Sequence, residues 1–201
     1  MSSPASVPNG RKVGLLFGSF NPIHTGHLIL AHFMATHTDL EEVWLVVSPQ
    51  SPFKVGRELL PEQGRLRMVE AAIAGNDRLR ALDVEFGMPK PSYTIDTLDE
   101  LRRRYPSYRF VLLMGEDNLP GLPRWKEADR ILAENEVYVY PRPGVASTDV
   151  QMHPGIQVVT APLLDISATF IRDCVRAGKS IRYLVPEPVE QQIQAAGYWR
   201  T

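Results

Sequence analysis

Gly18-Ser19-Phe20-Asn21-Pro22-Ile23-His24-Thr25-Gly26-His27 constrains this chain more than any other stretch, because it joins an apolar strand to a helix through a turn that carries two histidines. Val13–Phe17 is a short apolar run ending at glycine, the pattern of a fully buried strand. Thr25–Thr36 carries Leu28, Ile29, Ala31 and Phe33 in near-helical rhythm. Such a junction aims unpaired backbone N–H groups and the positive end of a helix dipole at one point, which suits a phosphate. Gly18 is expected to let a ligand approach the backbone closely. His24 and His27 are three apart, so a helix beginning near Thr25 puts both rings towards the carboxyl edge of the sheet, where open α/β sheets bind ligands. The pair points to nucleotide polyphosphate chemistry. His32 and His37 lack this company and read as ordinary core or surface residues. Neither H-E-x-x-H nor a cysteine pair is present, so no metal ligation by the histidines is expected.

Further apolar runs at Val43–Val47, Phe110–Met114, Val137–Tyr140 and Ile156–Thr160 alternate with helical patterns near Pro61–Ala74, Ser92–Arg104 and Trp125–Ala133. Arg78–Val84 adds a candidate strand, and Ser167–Ala177 and Pro188–Ala196 are candidate helices of the tail. The rhythm predicts an α/β fold: a Rossmann-like, doubly wound parallel sheet with helices on both faces and a C-terminal helical tail. Pro49, Pro52 and Gly56 break the stretch Ser48–Leu60, which predicts a mobile loop over the site.

A second chemical centre opens the helix at Ser167-Ala168-Thr169-Phe170-Ile171-Arg172. Ser167 is a good N-cap, and a helix start with two hydroxyls and an arginine can also hold phosphate oxygens. Asp117, just after the strand Phe110–Met114, is placed to accept hydrogen bonds from ribose hydroxyls. Trp125 offers a flat ring for stacking. Gly178-Lys179-Ser180 imitates the end of a P-loop, but Asp173 stands where the first glycine belongs and a helix precedes it, so Gly178 is expected to end that helix. No G-x-G-x-x-G follows a strand, which removes the main support for a dinucleotide-binding oxidoreductase.

The 201 residues suffice for one well-buried core, and 44% hydrophobic residues is ordinary for a globular protein. Residues 1–11 hold Ser, Pro, Asn and Gly without an apolar run and read as a disordered lead-in, leaving 12–201 as one domain. A net charge of −1 gives no broad attraction for nucleic acid or anionic membrane. No segment reaches transmembrane length, and the single cysteine, Cys174, suits a reducing cytoplasm.

Residues 18–27 match in full the G-S-F-N-P-x-H-x-G-H signature, and the chain thereby resembles the bacterial nicotinate-nucleotide adenylyltransferases of the H-x-G-H nucleotidyltransferase superfamily. Pro91-Ser92-Tyr93-Thr94, Gly115-Glu116-Asp117, Trp125, Arg142-Pro143-Gly144 and Ile166–Arg172 follow in that family's order, so the resemblance runs from Lys12 onward. It implies transfer of the adenylyl group of ATP to nicotinate mononucleotide, with pyrophosphate released and Mg²⁺ arriving with ATP. It further implies catalytic roles for His24, His27 and Arg172. ATP contacts are implied at Gly18, Ser19, Phe20, His24, His27, Gly115 and Asp117, and at Ile166, Ser167, Thr169 and Arg172 on the triphosphate side. Mononucleotide contacts are implied at Ser19, Asn21, Lys54, Tyr93, Thr94 and Trp125. The common family form has serine where Ala168 stands, and often histidine where Phe53 stands.

Three alternatives have discriminators. A pantetheine-phosphate or cytidylyl transferase shares the H-x-G-H core but is not expected to combine Pro91–Thr94 with Trp125. A class I aminoacyl-tRNA synthetase would need a longer chain and a K-M-S-K-S element. A non-catalytic nucleotide sensor would bind ATP and release no pyrophosphate.

Overall fold

In the computed structural model, residues 10–50, 59–141 and 154–200 are described. Six parallel strands form one sheet: β1 (Arg11–Gly18), β2 (Glu42–Val47), β3 (Leu79–Leu82), β4 (Tyr108–Gly115), β5 (Glu136–Tyr140) and β6 (Ile156–Val158). Their order is β3-β2-β1-β4-β5-β6, the doubly wound arrangement. The helices are α1 (Thr25–His37), α2 (Glu62–Ile73), α3 (Thr94–Arg104), α4 (Ala128–Glu134), α5 (Ala168–Arg176) and α6 (Glu187–Ala196). The predicted fold class is therefore the observed one.

Strand periodicity sorts the core into two layers. Val13 and Leu15 of β1, Trp44 and Val46 of β2, and Phe110, Leu112 and Met114 of β4 pack with Ile95, Leu98 and Leu101 of α3 and Ile131 of α4. The alternate residues, among them Leu16, Leu45, Val111 and Leu113, meet Leu30 and Met34 of α1, Val69 of α2, Ile171 of α5 and Ile193 of α6. Both faces of the sheet are thus covered, and the centres of β1, β2, β4 and β5 are buried apolar runs, whereas the edge strand β6 is largely exposed.

Several boundaries differ from the sequence pattern. β1 takes in Arg11, which the pattern gave to the lead-in, because the Arg11 guanidinium pairs with Glu41 and Glu42. β3 ends at Leu82, and Val84–Gly87 winds into a 3-10 helix. Trp125 precedes α4 and closes a 3-10 helix over Glu116–Arg124, whose Pro120 and Pro123 lack the N–H that an α-helix would need. Gly178 lies just past α5 with φ +65°, and the Gly178 and Lys179 N–H groups donate to the Val175 and Cys174 carbonyls, the expected helix stop.

β1 and β4 are neighbours, yet the chain leaves β1 for α1 on one face and β4 for α4 on the other. This is the topological switch point, where a crevice opens beyond the carboxyl ends of the strands.

Candidate active site

The turn after β1 is built around Gly18 and Phe20. Phe20 adopts φ +43°, and its ring lies where a side chain on Gly18 would be: a Cβ there would fall 2.8 Å from the ring. Gly18 is therefore required by the packing of Phe20, a reason different from the expected close approach of a ligand. Ile23 and Asn21 are buried, and the Asn21–Pro22 peptide bond is cis.

His24 is the extended residue that caps α1, and the His27 N–H donates to its carbonyl at 2.9 Å. In return the His24 N–H donates to Nδ1 of His27 at 3.3 Å. A ring nitrogen that accepts carries no proton, so the neutral His27 ring bears its hydrogen on Nε2. The two imidazoles stack with centroids 3.6 Å apart, and the Phe20 ring meets His27 edge-on at 5.1 Å. Gly26 makes room for this stack, because a Cβ there would sit 3.2 Å from Nδ1 of His24. His32 and His37 are exposed, as ordinary surface residues.

The second centre meets the first directly. Arg172 donates through Nη1 to the Asn21 carbonyl at 2.9 Å and through Nη2 to Thr169 Oγ1 at 3.1 Å. Ser167 is the expected N-cap, its Oγ accepting from the Phe170 N–H at 3.1 Å. The arginine expected to contact phosphate thus also ties the start of α5 to the histidine turn.

One cavity of about 540 Å³ gathers these groups. Its walls include Gly18, Ser19, Phe20, Asn21, His24 and His27 from the first turn, and Ile166, Ser167, Thr169 and Arg172 from the second. Gly115, Asp117, Tyr93, Thr94 and Trp125 also line it. Lys54 and Arg142-Pro143-Gly144 lie outside the described residues, as does most of the loop 48–60. The starts of α1, α3 and α5 all border this cavity, each with the partial positive charge of a helix N-terminus, although in α1 the Thr25 and His27 N–H groups already donate to the Leu184 and His24 carbonyls. That convergence suits a ligand with several anionic groups.

Tyr93 and Trp125 add aromatic surface to the cavity. Trp125 is half-buried, and Tyr93 stands at the N-cap of α3 with Lys126 Nζ 5.3 Å from its ring centre. Lys126 pairs with Asp96 at 2.6 Å, and that hydrogen bond holds its ammonium above the ordinary lysine value. Glu85, only 2% exposed, accepts from Ser92 Oγ at 2.7 Å and Thr97 Oγ1 at 2.8 Å, which fixes the approach to α3. Neither Glu85 nor Lys126 is among the site residues that the sequence pattern marks. Lys126 adjoins Trp125, a signal that was available; Glu85 has none beyond a carboxylate between apolar neighbours.

Among the described residues no three His, Cys, Asp or Glu side chains come together as a metal cage, and no helix is long and apolar enough to cross a membrane.

Comparisons with known proteins agree with this geometry. The family model described as cytidylyltransferase-like matches residues 15–174. A "probable nicotinate-nucleotide adenylyltransferase" of Cytophaga hutchinsonii is 53% identical over 188 residues, covering 94% of this chain and 98% of that protein. A protein of the same name from Christiangramia forsetii is 44% identical over 192 residues, covering 94% and 99%. Among solved structures, the nicotinic acid mononucleotide adenylyltransferase of Plasmodium falciparum complexed with NaAD superposes with a TM-score of 0.80 at 18% identity, covering 94% of this chain and 97% of that one, a likeness of fold. With its full G-S-F-N-P-x-H-x-G-H turn set at the switch point of the sheet, the chain belongs to the cytidylyltransferase-like family and, within it, to the bacterial nicotinate-nucleotide adenylyltransferases.

Proposed function

We propose that the protein transfers the adenylyl group of ATP to nicotinate mononucleotide, giving nicotinate adenine dinucleotide and pyrophosphate, a step of NAD biosynthesis. The observation that carries this is the meeting of three helix N-termini, the His24–His27 stack and Arg172 on a single cavity that Tyr93 and Trp125 also line. A polyphosphate fits the first part and a flat pyridine ring the second. The names of the 53% and 44% identical relatives support the same reaction.

The mononucleotide phosphate is already an anionic nucleophile at neutral pH, so no general base is needed. One of its oxygens forms a bond to the α-phosphorus of ATP while the bond from that phosphorus to the bridging oxygen breaks, and pyrophosphate leaves with the electron pair. Catalysis then consists of alignment and stabilisation of charge. His24 and His27 contact the phosphates around the reacting phosphorus. Arg172, Ser167, Thr169 and the first turn of α5, which opens beside Ile166, bind the β- and γ-phosphates.

Gly18, Ser19 and Phe20 offer backbone to the phosphates, and Gly115 and Asp117 hold the adenosine half. Trp125 stacks on the pyridine ring, Tyr93 and Thr94 face its carboxylate, and Ser19, Asn21 and Lys54 serve the mononucleotide phosphate. Mg²⁺ would enter with ATP as part of the substrate, where it would offset the charge that develops on the pyrophosphate leaving group. Residues 12–201 act as one domain, supported by the span of the family match and by the packing of α6 on α2. The lone Cys174 suits an enzyme of the cytoplasm.

Pyrophosphate release from MgATP and nicotinate mononucleotide, with CTP and phosphopantetheine as control substrates, tests this. Formation of the dinucleotide is expected; its absence with folded protein, or faster turnover of a control, rejects it.

A further inference from the structure

Arg65, in the first turn of α2, is 1% exposed and is absent from the walls of the cavity. A buried guanidinium ordinarily meets a carboxylate. This one meets four main-chain carbonyls. Nε donates to Leu60 at 2.9 Å, Nη1 to Ser19 at 2.6 Å and to Ser48 at 2.8 Å, and Nη2 to Pro49 at 3.1 Å. Burial pulls its pKa down from the ordinary arginine value, against a smaller contribution from Glu62 that favours the charge. Burying a cation opposite neutral dipoles is costly where methionine or leucine would fill the same space. Packing alone does not account for an arginine here.

The four carbonyls come from three separate segments that meet at the carboxyl ends of β1 and β2. Further bonds join the same segments: the Ser48 N–H donates to the Gly18 carbonyl at 2.9 Å, and the Leu60 N–H to Asn21 Oδ1 at 3.2 Å. Asn21 in turn accepts from Arg172 through its carbonyl. Arg65 therefore lies at the root of a hydrogen-bonded hub that reaches the phosphate-binding arginine through Leu60 and Asn21.

The bond to Ser19 has a directional consequence. The peptide joining Ser19 to Phe20 is trans and planar, so its C=O and N–H point in opposite directions. Drawing the Ser19 carbonyl towards Arg65 turns the Phe20 N–H away from it. Phe20, with φ +43°, is in a conformation the chain does not adopt unaided, so the orientation of this peptide has to be imposed.

We infer that Arg65 is a positioning residue for adenylyl transfer: by gripping the Ser19 carbonyl from the buried side, it aims the Phe20 N–H into the cavity at the substrate phosphates and holds the Ser48 wall against the histidine turn. Only arginine presents donors in several directions from one rigid plane; a lysine ammonium, with three donors on one atom, cannot serve four carbonyls so disposed. The inference rests on the adenylyl transfer proposed above.

The test uses the full chain with Arg65→Lys and Arg65→Ala, scored as kcat and KM for ATP and for nicotinate mononucleotide per folded molecule. Arg65→Lys should lower kcat at least about tenfold while the KM for ATP stays within about threefold, the split expected when a preorganised contact loses aim. Millimolar guanidinium added to Arg65→Ala should restore part of its kcat without raising that of the unsubstituted protein. Simple destabilisation would not be relieved, because millimolar guanidinium leaves overall stability essentially unchanged and at higher concentration lowers it. Folded variants with unchanged kcat, or an Arg65→Ala that guanidinium does not improve, would overturn the inference. Should Arg65→Ala not fold, the Arg65→Lys kinetics decide; failure of both to fold also overturns it, since the residue would then serve folding alone. An unsubstituted protein that releases no pyrophosphate identifies the failure as one of the proposed function instead.

Discussion

His24 and His27 are locked as a pair: the rings stack with centroids 3.6 Å apart, and the His24 N–H is bonded to Nδ1 of its partner. The His27 ring is thereby oriented, with its neutral-form proton on Nε2, the donor that a phosphate oxygen requires. His27→Ala should lower turnover at least about a hundredfold, the scale of losing one preorganised transition-state contact. His27 is only half-buried, so the fold should persist. Pyrophosphate release measured beside circular dichroism checks both parts, and near-normal turnover would remove His27 from the mechanism.

Gly26→Ala separates stability from activity. Gly26 lies in the first turn of α1, where alanine is favoured over glycine by up to about 1 kcal/mol. The added methyl, however, would meet the His24 ring at 3.2–3.3 Å and displace it by a few tenths of an ångström. A melting temperature equal to or above that of the unsubstituted protein is expected, together with turnover reduced about tenfold or more, as small misplacements cost. Full activity would show that the position of the His24 ring is not critical.

These residues were legible in the sequence because a strand end, a turn and a helix start are each local events, and the H-x-G-H spacing places all three. Ser167 and Gly178 were legible for the same reason, as helix start and stop signals. Arg65 was not. It shares the buried stripe of α2 with Met68 and Val69 at helical spacing, yet Arg67, two positions on, is exposed, and nothing local distinguishes the two guanidinium groups. What selects Arg65 is a set of carbonyls brought together from three distant segments. Trp125 was placed in a helix because its apolar rhythm continues into α4, whereas the conformation before it is set by Pro120 and Pro123.

Far from the cavity, Lys12 donates to Asp39 at 2.6 Å, Glu136 at 2.7 Å and the Tyr138 hydroxyl at 2.8 Å, and Tyr138 donates to Asp39. Burial opposes the Lys12 charge, but these bonds outweigh it and hold the ammonium above the ordinary lysine range. Burial and the bond to Asp39 push the Tyr138 hydroxyl up to about 12. Both groups hold their protons more tightly when folded, so their stabilisation is complete below the unfolded values near pH 10 and is lost as pH rises beyond them. Lys12→Met should cost about 1–3 kcal/mol at neutral pH and make the alkaline loss of stability shallower. Urea unfolding at neutral and alkaline pH measures both; an unchanged alkaline slope would dissociate Lys12 from it.

Because Mg²⁺ is proposed to travel with ATP, chelation should abolish pyrophosphate release, and added Mg²⁺ should restore it in full. The melting temperature of the protein without nucleotide should not respond to the chelator if the metal enters only with ATP. Full activity of stringently metal-free protein with metal-free ATP would overturn the assignment of Mg²⁺ to the leaving group.

The choice between nicotinate and nicotinamide rests on one small group. A carboxylate only accepts hydrogen bonds, whereas an amide also presents an NH₂ donor. Tyr93 and Thr94 begin α3, whose first-turn N–H groups have no partner within the helix, and Lys126 stands over the Tyr93 ring. Donors and positive charge together favour the acid, although the Asp96 carboxylate already offsets part of the Lys126 charge. An amide turned towards these donors would leave them unsatisfied, at a cost of about 1–3 kcal/mol, which corresponds to a preference of roughly tenfold to a hundredfold. Thr94→Val removes one hydroxyl while keeping the backbone N–H, so it should reduce the preference without abolishing it. The ratio of kcat/KM for the two mononucleotides at fixed MgATP is the decisive measurement. A ratio near one, or in favour of the amide, would move the pyridine carboxylate away from Thr94 even if adenylyl transfer itself is observed.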